Sequence, residues 1–152
     1  MGLTNDIATF RRAILDSGDF NPILRRLCAE HGEAVVRPLL TVFSFEENGD
    51  HHEAMYSLVH TIEGYGNDVY MEALIEEAPR IASNSPLLGA WLLGRICSSD
   101  SHFDIFMEKM RHRPREAKRA VVALFGLAAR QFANKSALVD RAKSAVGQLA
   151  QS

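Results

Sequence analysis

The chain has few of the residues that mark disulfide-stapled or membrane-spanning proteins. It contains two cysteines in 152 residues, Cys28 and Cys97, far apart and each within an apolar pattern. Because no cysteine framework is present, we expect free, buried and unreactive thiols. The longest nearly apolar stretch, residues 120–129, is ten residues long, too short to cross a bilayer. With Asp6 near the start and no long apolar block there, we expect no secretory signal and a cytoplasmic location.

Catalytic and metal-binding motifs are also missing from the sequence. No Walker sequence, nucleophile elbow, His-Glu-x-x-His zinc motif or Glu-x-x-His di-iron motif occurs. The run Asp50-His51-His52-Glu53 has ligand-type side chains, but successive residues on a helix point about 100° apart and cannot converge on one ion. We therefore predict no enzyme activity, no metal site and no cofactor.

The remaining composition is that of an ordinary globular domain, with 47% hydrophobic and 24% charged residues and a net charge of −2. A chain of this length buries roughly 70% of the surface that its unfolded form exposes. We therefore expect one helical domain over residues 1–152.

Apolar residues recur at helical spacing almost throughout, and no stretch alternates in the manner of a strand. Helix starts are indicated by Asn21-Pro22, Asn67 and Ser85-Pro86, and helix ends by Gly18 and Gly32. About nine short helices with tight connections predict an all-α fold of antiparallel pairs. The period near 35 residues favours a short HEAT-like α-solenoid, with an irregular helical bundle as the alternative.

Charge is segregated along the chain. Residues 38–79, the acidic segment, contain nine acids and no Lys or Arg. Residues 111–152, the basic C-terminal segment, contain nine bases and two acids. Like charges gathered this tightly repel, which favours an oppositely charged partner for the acidic segment. The alternative is that the two segments pack together and neutralise each other.

The fourth predicted helix has an apolar stripe of Met55, Leu58, Val59 and Ile62 and beside it a polar face of His52, Glu53, Tyr56, His60 and Glu63. The fifth places Glu72 and Glu76 on one exposed face. Carboxylates interleaved with Tyr and His suit a basic protein surface. The residues expected to bind a partner are Glu46, Glu47, Asp50, Glu53, Tyr56, His60, Tyr65, Asp68, Glu72 and Glu76. Glu63 has two expected roles: an acid–base pair with His60, or a structural pair with Arg95 that orients the fourth and sixth helices.

A second function class is suggested by the basic run at residues 111–119, which could contact phosphates together with Lys143. The run has no interleaved aromatic residues, so base stacking is not indicated, and a solvated helix start also explains it. Nucleic acid is therefore the less favoured partner. A peptide-binding adaptor solenoid is a further alternative.

Residues 55–106 contain a series of helical motifs in a fixed order. They are Met55-Tyr56-Ser57-Leu58-Val59-His60 followed by Glu63, then Tyr70 and Leu74 with Pro79 at a helix end, then Ser85-Pro86 with Trp91 and Arg95-Ile96. This series resembles the small helical immunity proteins of bacterial polymorphic toxin and contact-dependent growth inhibition systems. Residues 97–99 depart from the pattern, since that family usually has Asn shortly after the Arg.

The resemblance implies a HEAT-like fold, no catalysis, and neutralisation of one cognate toxin by tight binding. Together with the acidic segment, it leads us to expect a cationic, nuclease-like toxin domain as the partner, because nucleases need positively charged clefts. No membrane partner is expected.

Overall fold

The computed structural model describes residues 2–16, 18–42 and 52–152. Within these ranges the chain forms nine α-helices and one short 3₁₀ helix, and no strand. The elements are α1 (Leu3–Leu15), α2 (Asn21–His31), the 3₁₀ helix η1 (Gly32–Val35), α3 (Val36–Leu40), α4 (His52–Glu63), α5 (Asn67–Asn84), α6 (Pro86–Cys97), α7 (Asp100–Met110), α8 (Arg115–Gln131) and α9 (Ser136–Ala150). The all-α prediction is confirmed, whereas regular HEAT-like stacking and a single domain remain predictions.

The helix boundaries follow local signals in the sequence. Helix α2 begins at Asn21, whose backbone N–H donates to Asp19 Oδ1 over 3.3 Å, and Pro22 occupies its first turn. It ends at Gly32, which has φ +58°, a left-handed conformation that costs glycine little because it has no Cβ. The predicted start is confirmed, but Asn21 is the first residue of the helix and not its cap, and the side chain that accepts a hydrogen bond at this end belongs to Asp19.

Helix α5 extends beyond the proline that the family resemblance placed at its end. Pro79 was expected at a helix end, yet it lies inside α5, which continues to Asn84. Proline has no N–H to donate to the carbonyl four residues earlier, which weakens a helix locally. The burial of Ala78 and Ile81 on either side of Pro79 supplies tertiary packing that local propensity does not include.

Helices α5, α6, α8 and α9 pack closely against one another, and two glycines on α6 allow this. A Cβ at Gly89 would lie 2.7 Å from Ile81 Cγ2 of α5 and 2.8 Å from Leu124 Cδ2 of α8. A Cβ at Gly94 would lie 2.7 Å from Phe132 Cε2. The absence of side chains at these positions brings the helices together, and α4 rests against α6 on this scaffold.

Helices α1 and α2 are joined by a polar contact. His31 Nε2 of α2 lies 2.8 Å from Oδ2 of Asp6, a buried residue of α1. The hydrogen bond to His31 lowers the pKa of Asp6, against the opposing effect of burial. The charged carboxylate is therefore the form that the folded state favours.

Among the described helices, none combines the length and the apolar character needed to cross a membrane.

Candidate protein-binding face of helix α4

Helix α4 has one buried side and one exposed side. The predicted apolar stripe of Met55, Leu58, Val59 and Ile62 is buried, as is Ala54. The exposed side, here called the α4 face, consists of His52, Glu53, Tyr56 and His60.

Tyr56 has the largest exposed fraction, 57%, of the large hydrophobic side chains exposed in the described parts of the chain. It stands between two hollows in the surface. The first, the Trp91 cleft, has a volume of about 680 Å³ and is lined by Gly18, Asp19, Phe20, Asn21, His52, Glu53, Tyr56, Ser57 and Trp91. The second, the Cys28 hollow, has a volume of about 620 Å³ and is lined by Asn21, Leu24, Arg25, Cys28, Tyr56, Ser57, His60 and Thr61. Tyr56 therefore borders both hollows, together with Asn21 and Ser57.

A chain of contacts leads from Tyr56 to α6. The rings of Tyr56 and His60 meet edge to face with centroids 4.3 Å apart. His60 Nδ1 lies 4.0 Å from Glu63 Oε1, and Arg95 Nε donates a hydrogen bond of 2.7 Å to Glu63 Oε2. That hydrogen bond raises the pKa of Arg95. Glu63 therefore lies near both His60 and Arg95, the two partners considered from the sequence, and its contact with Arg95 is the shorter. That this pair orients α4 and α6 remains a prediction.

Tyr65 and the two cysteines are less exposed to solvent than the side chains of the α4 face. Tyr65 is partly buried against the core, and burial together with the nearby Cys28 raises its pKa to about 12. Cys97 is buried and free, and burial raises its pKa to about 12, so its thiol stays protonated. Cys28 is free but only half-buried, so the expectation that both thiols are buried is wrong for Cys28, which lines the hollow beside Tyr56.

The carboxylates near the start of α5 are paired with cations of the same chain. Lys109 Nζ of α7 lies 3.0 Å from Asp68 Oδ1 and 3.3 Å from Glu72 Oε1. Arg113, which follows α7, also donates to Glu72. The hydrogen bonds from Arg113 and Lys109 lower the pKa of Glu72.

The carboxylates further along α5 pair with arginines of α3 and α5. Arg37 of α3 lies 2.9 Å from Glu76 Oε2 and 3.1 Å from Glu77 Oε1. Arg80 lies 3.7 Å from Glu77 Oε2. The expectation of unbalanced carboxylates on α5 is therefore wrong, because folding brings cations from other parts of the chain next to them. Of these cations only Arg113 belongs to the basic C-terminal segment, so mutual neutralisation of the two segments explains only part of the pairing.

Glu53 differs from these residues, since no ion pair joins it to another residue that the structure describes. Its side chain lies on the exposed α4 face beside Tyr56. Glu46, Glu47 and Asp50, also predicted to bind a partner, lie outside the described residues.

Several side chains of the basic run at residues 111–119 contact other residues of the same chain. Arg111 pairs with Glu108 at 3.1 Å, and Arg113 pairs with Glu72. Lys118 Nζ donates to the carbonyl of Arg111 over 3.3 Å. These contacts reduce the number of side chains that can meet a phosphate backbone, and they favour the structural interpretation of this run.

Two groupings of residues were not predicted. Trp91 lies in an apolar stretch of α6, yet it is only partly buried and lines a cleft with Asp19 and Phe20. Only the tertiary structure brings Trp91 next to Asp19 and Phe20. The sequence signal at this place, the Asp19-Phe20-Asn21-Pro22 run, indicates a helix start and no contact with Trp91.

The second grouping is Asp6, Glu30 and His31, which place one possible metal-ligand atom each within 4.8 Å of one another. Asp6 and His31 are already paired with each other.

The sequence matches the family described as Immunity protein 30 over residues 12–106, more than half of the chain. The chain belongs to the Immunity protein 30 family. The matched range includes the α4 face, the Trp91 cleft and the Glu63–Arg95 pair, while α8 and α9 lie beyond it. No curated protein and no solved structure matches this chain. Membership in Immunity protein 30 supports the sequence-based resemblance and suggests toxin neutralisation, a role that is generally non-catalytic.

Proposed function

We propose that this protein neutralises a cognate toxin domain in the cytoplasm by binding it through the α4 face, with Tyr56 at the centre of the interface. The observation that carries this proposal is the exposure of Tyr56, 57%, between two hollows. Tyrosine is enriched among the few residues that supply most of the energy of protein interfaces, and such residues pair with pockets on the partner. Binding itself blocks the toxin, so no catalytic group is required.

Charge favours a cationic, nuclease-like toxin. Beside Tyr56, the Trp91 cleft includes the carboxylates of Asp19 and Glu53 and no Lys or Arg among the described residues. A nuclease needs positive charge to hold its phosphate substrate, and an acidic binder competes for the same charge. Asp68, Glu72 and Glu76 are proposed to lie at the rim of the interface, because their internal cations already offset much of their field. Rim charges act mainly on the association rate.

The test is co-expression with a candidate toxin domain, sought as a small basic domain at the end of the neighbouring upstream reading frame. We expect the wild-type protein to restore growth and to form a complex measurable by calorimetry. The variant Tyr56→Ala should weaken binding by about 30-fold, the effect of losing about 2 kcal/mol at a central contact. Ile105→Ala is the matched control, since Ile105 is an exposed apolar residue, 38%, on α7 and lines neither hollow.

Two results would contradict the proposal. If the wild-type protein neither binds the toxin domain nor protects cells, it is not the immunity partner of that toxin. If Tyr56→Ala binds as tightly as the wild type and Ile105→Ala, the interface lies elsewhere on the molecule.

A further inference from the structure

We propose that the Trp91 cleft receives an arginine side chain of the toxin domain. This inference rests on the proposed function, because it names the group on the toxin that one part of the α4 face recognises.

The lining of the cleft has the chemistry that selects a guanidinium group. Its lining includes the aromatic residues Phe20, Tyr56 and Trp91 and the acidic residues Asp19 and Glu53. A planar guanidinium stacks on aromatic faces, Trp and Tyr above all, and donates hydrogen bonds to carboxylates in the same geometry. Lysine carries a compact, strongly hydrated charge that stacks less well. Arginine is therefore the cation that uses both parts of this lining.

The walls of the cleft are held by contacts of their own. Asp19 Oδ1 accepts a hydrogen bond of 3.3 Å from the backbone of Asn21. The ring of Phe20 meets Phe10 edge to face with centroids 6.3 Å apart. The rings of His52 and Trp91 lie 6.0 Å apart and are tilted by 31°. Because these groups are positioned before binding, less conformational entropy is lost when an arginine enters.

A second groove of the molecule shows the opposite charge. This groove, of about 620 Å³, lies between α1 and α3. Its lining includes four arginines, Arg11, Arg12, Arg37 and Arg80, and one acid, Glu77. The two depressions therefore differ in the sign of their charge, and the Trp91 cleft is the one that suits a cation.

The first experiment compares two double variants that each remove two negative charges. Asp19→Asn with Glu53→Gln changes the cleft, and the asparagine keeps an acceptor oxygen for the backbone N–H of Asn21. Asp104→Asn with Glu116→Gln is the matched control, because both acids are exposed, on α7 and α8, and line neither hollow. We expect the cleft variant to bind the toxin domain about tenfold more weakly, and the control to bind within about twofold of the wild type. Equal affinity of the cleft variant and the wild type, or an equal loss in both variants, overturns the inference.

The second experiment does not need the toxin. Trp91 is the single tryptophan of the chain, so its fluorescence reports directly on the cleft. We expect N-acetyl-arginine amide to change that fluorescence in a saturable way at millimolar concentrations, and the neutral isostere N-acetyl-citrulline amide at matched ionic strength to leave it unchanged. N-acetyl-lysine amide should bind several-fold more weakly than the arginine amide. An identical response to arginine and citrulline, or equal binding of lysine, overturns the assignment.

The two experiments separate failure of the inference from failure of the proposed function. If the toxin domain binds tightly and Asp19→Asn with Glu53→Gln does not weaken binding, the proposed function is supported and the proposal that the cleft receives an arginine is refuted. Absence of toxin binding refutes the function, while the fluorescence titration still decides whether the cleft prefers a guanidinium group.

Discussion

Helices α4 and α5 both belong to the acidic segment, yet their carboxylates have opposite environments. On α5, Asp68, Glu72, Glu76 and Glu77 all contact cations of the same chain. On the exposed face of α4, Glu53 has no such partner among the described residues. The difference shows that the density of charge in a sequence does not locate an interface. What matters is which charges remain without a partner after folding.

The two helices should therefore respond differently to the same substitution. The ion pairs of α5 connect it with α3, with α7 and with Arg113 in the α7–α8 connection, so changes there should act mainly on stability. Glu53 lies beside the exposed Tyr56 and a cleft, so changes there should act on binding.

The largest effect is expected from charge reversal on α4. Glu53→Lys places a cation in the cleft that we propose to receive an arginine, and like charges at an interface cost several kcal/mol. We expect toxin affinity to fall by about 100-fold while the unfolding free energy changes by less than about 0.5 kcal/mol. Calorimetry and urea denaturation measure the two quantities. A variant that binds normally would show that Glu53 lies outside the interface.

The matched reversal on α5 should show the opposite pattern. Glu72→Lys removes the acceptor of Arg113 and Lys109 and adds a third positive charge beside them. Because Glu72 is 36% exposed, solvent screens part of the repulsion, and we expect a loss of about 1–2 kcal/mol in unfolding free energy. Because Glu72 lies at the proposed rim, its reversal should also slow association with the cationic toxin, but it should lower toxin affinity by less than about tenfold, well below the loss for Glu53→Lys. Unchanged stability together with lost binding would reverse the comparison between the helices.

Acid should weaken the contacts that Glu72 makes on α5. The folded-state pKa of Glu72 is lowered below its ordinary value of 4.5, so its contribution to stability is present above about pH 4.5 and is lost as the pH falls through the lowered value. Asp6, whose pKa is lowered from 3.8 by His31, acts in the same direction. We expect Glu72→Gln to have a shallower loss of stability below about pH 4.5 than the wild type, measured by thermal melts. Parallel profiles would contradict this role of Glu72.

The smallest effect is expected at Asp68. Its side chain is 97% exposed although it lies 3.0 Å from Lys109, and exposed ion pairs contribute little. Asp68→Asn should lower the unfolding free energy by less than about 0.5 kcal/mol, while Lys109 keeps its contact with Glu72. A loss as large as that of Glu72→Lys would mean that the exposed pair, and not the Glu72 contacts, holds α7 to α5.

Helix positions could be predicted because their signals are local. The Asn21-Pro22 and Ser85-Pro86 starts, the glycine that ends α2 and the apolar stripe of α4 all follow from backbone preferences and from a period of 3.6 residues. The exception, Pro79 inside α5, occurs where tertiary packing outweighs a local preference. The resemblance carried by residues 55–106 lies entirely within the matched family range, residues 12–106.

The candidate site was predicted only in part. The sequence by itself placed Glu53, Tyr56 and His60 on one face of α4, because residues three and four apart on a helix share a face. Only the tertiary structure decided that Glu72 meets Lys109 and Arg113, and that Trp91 borders a cleft with Asp19 and Phe20. These residues are tens of positions apart, and the packing of whole helices sets the distances between them. The helical period of 3.6 residues therefore determined which side chains share a face of one helix. The packing of the helices determined which charged side chains have no ion-pair partner among the described residues.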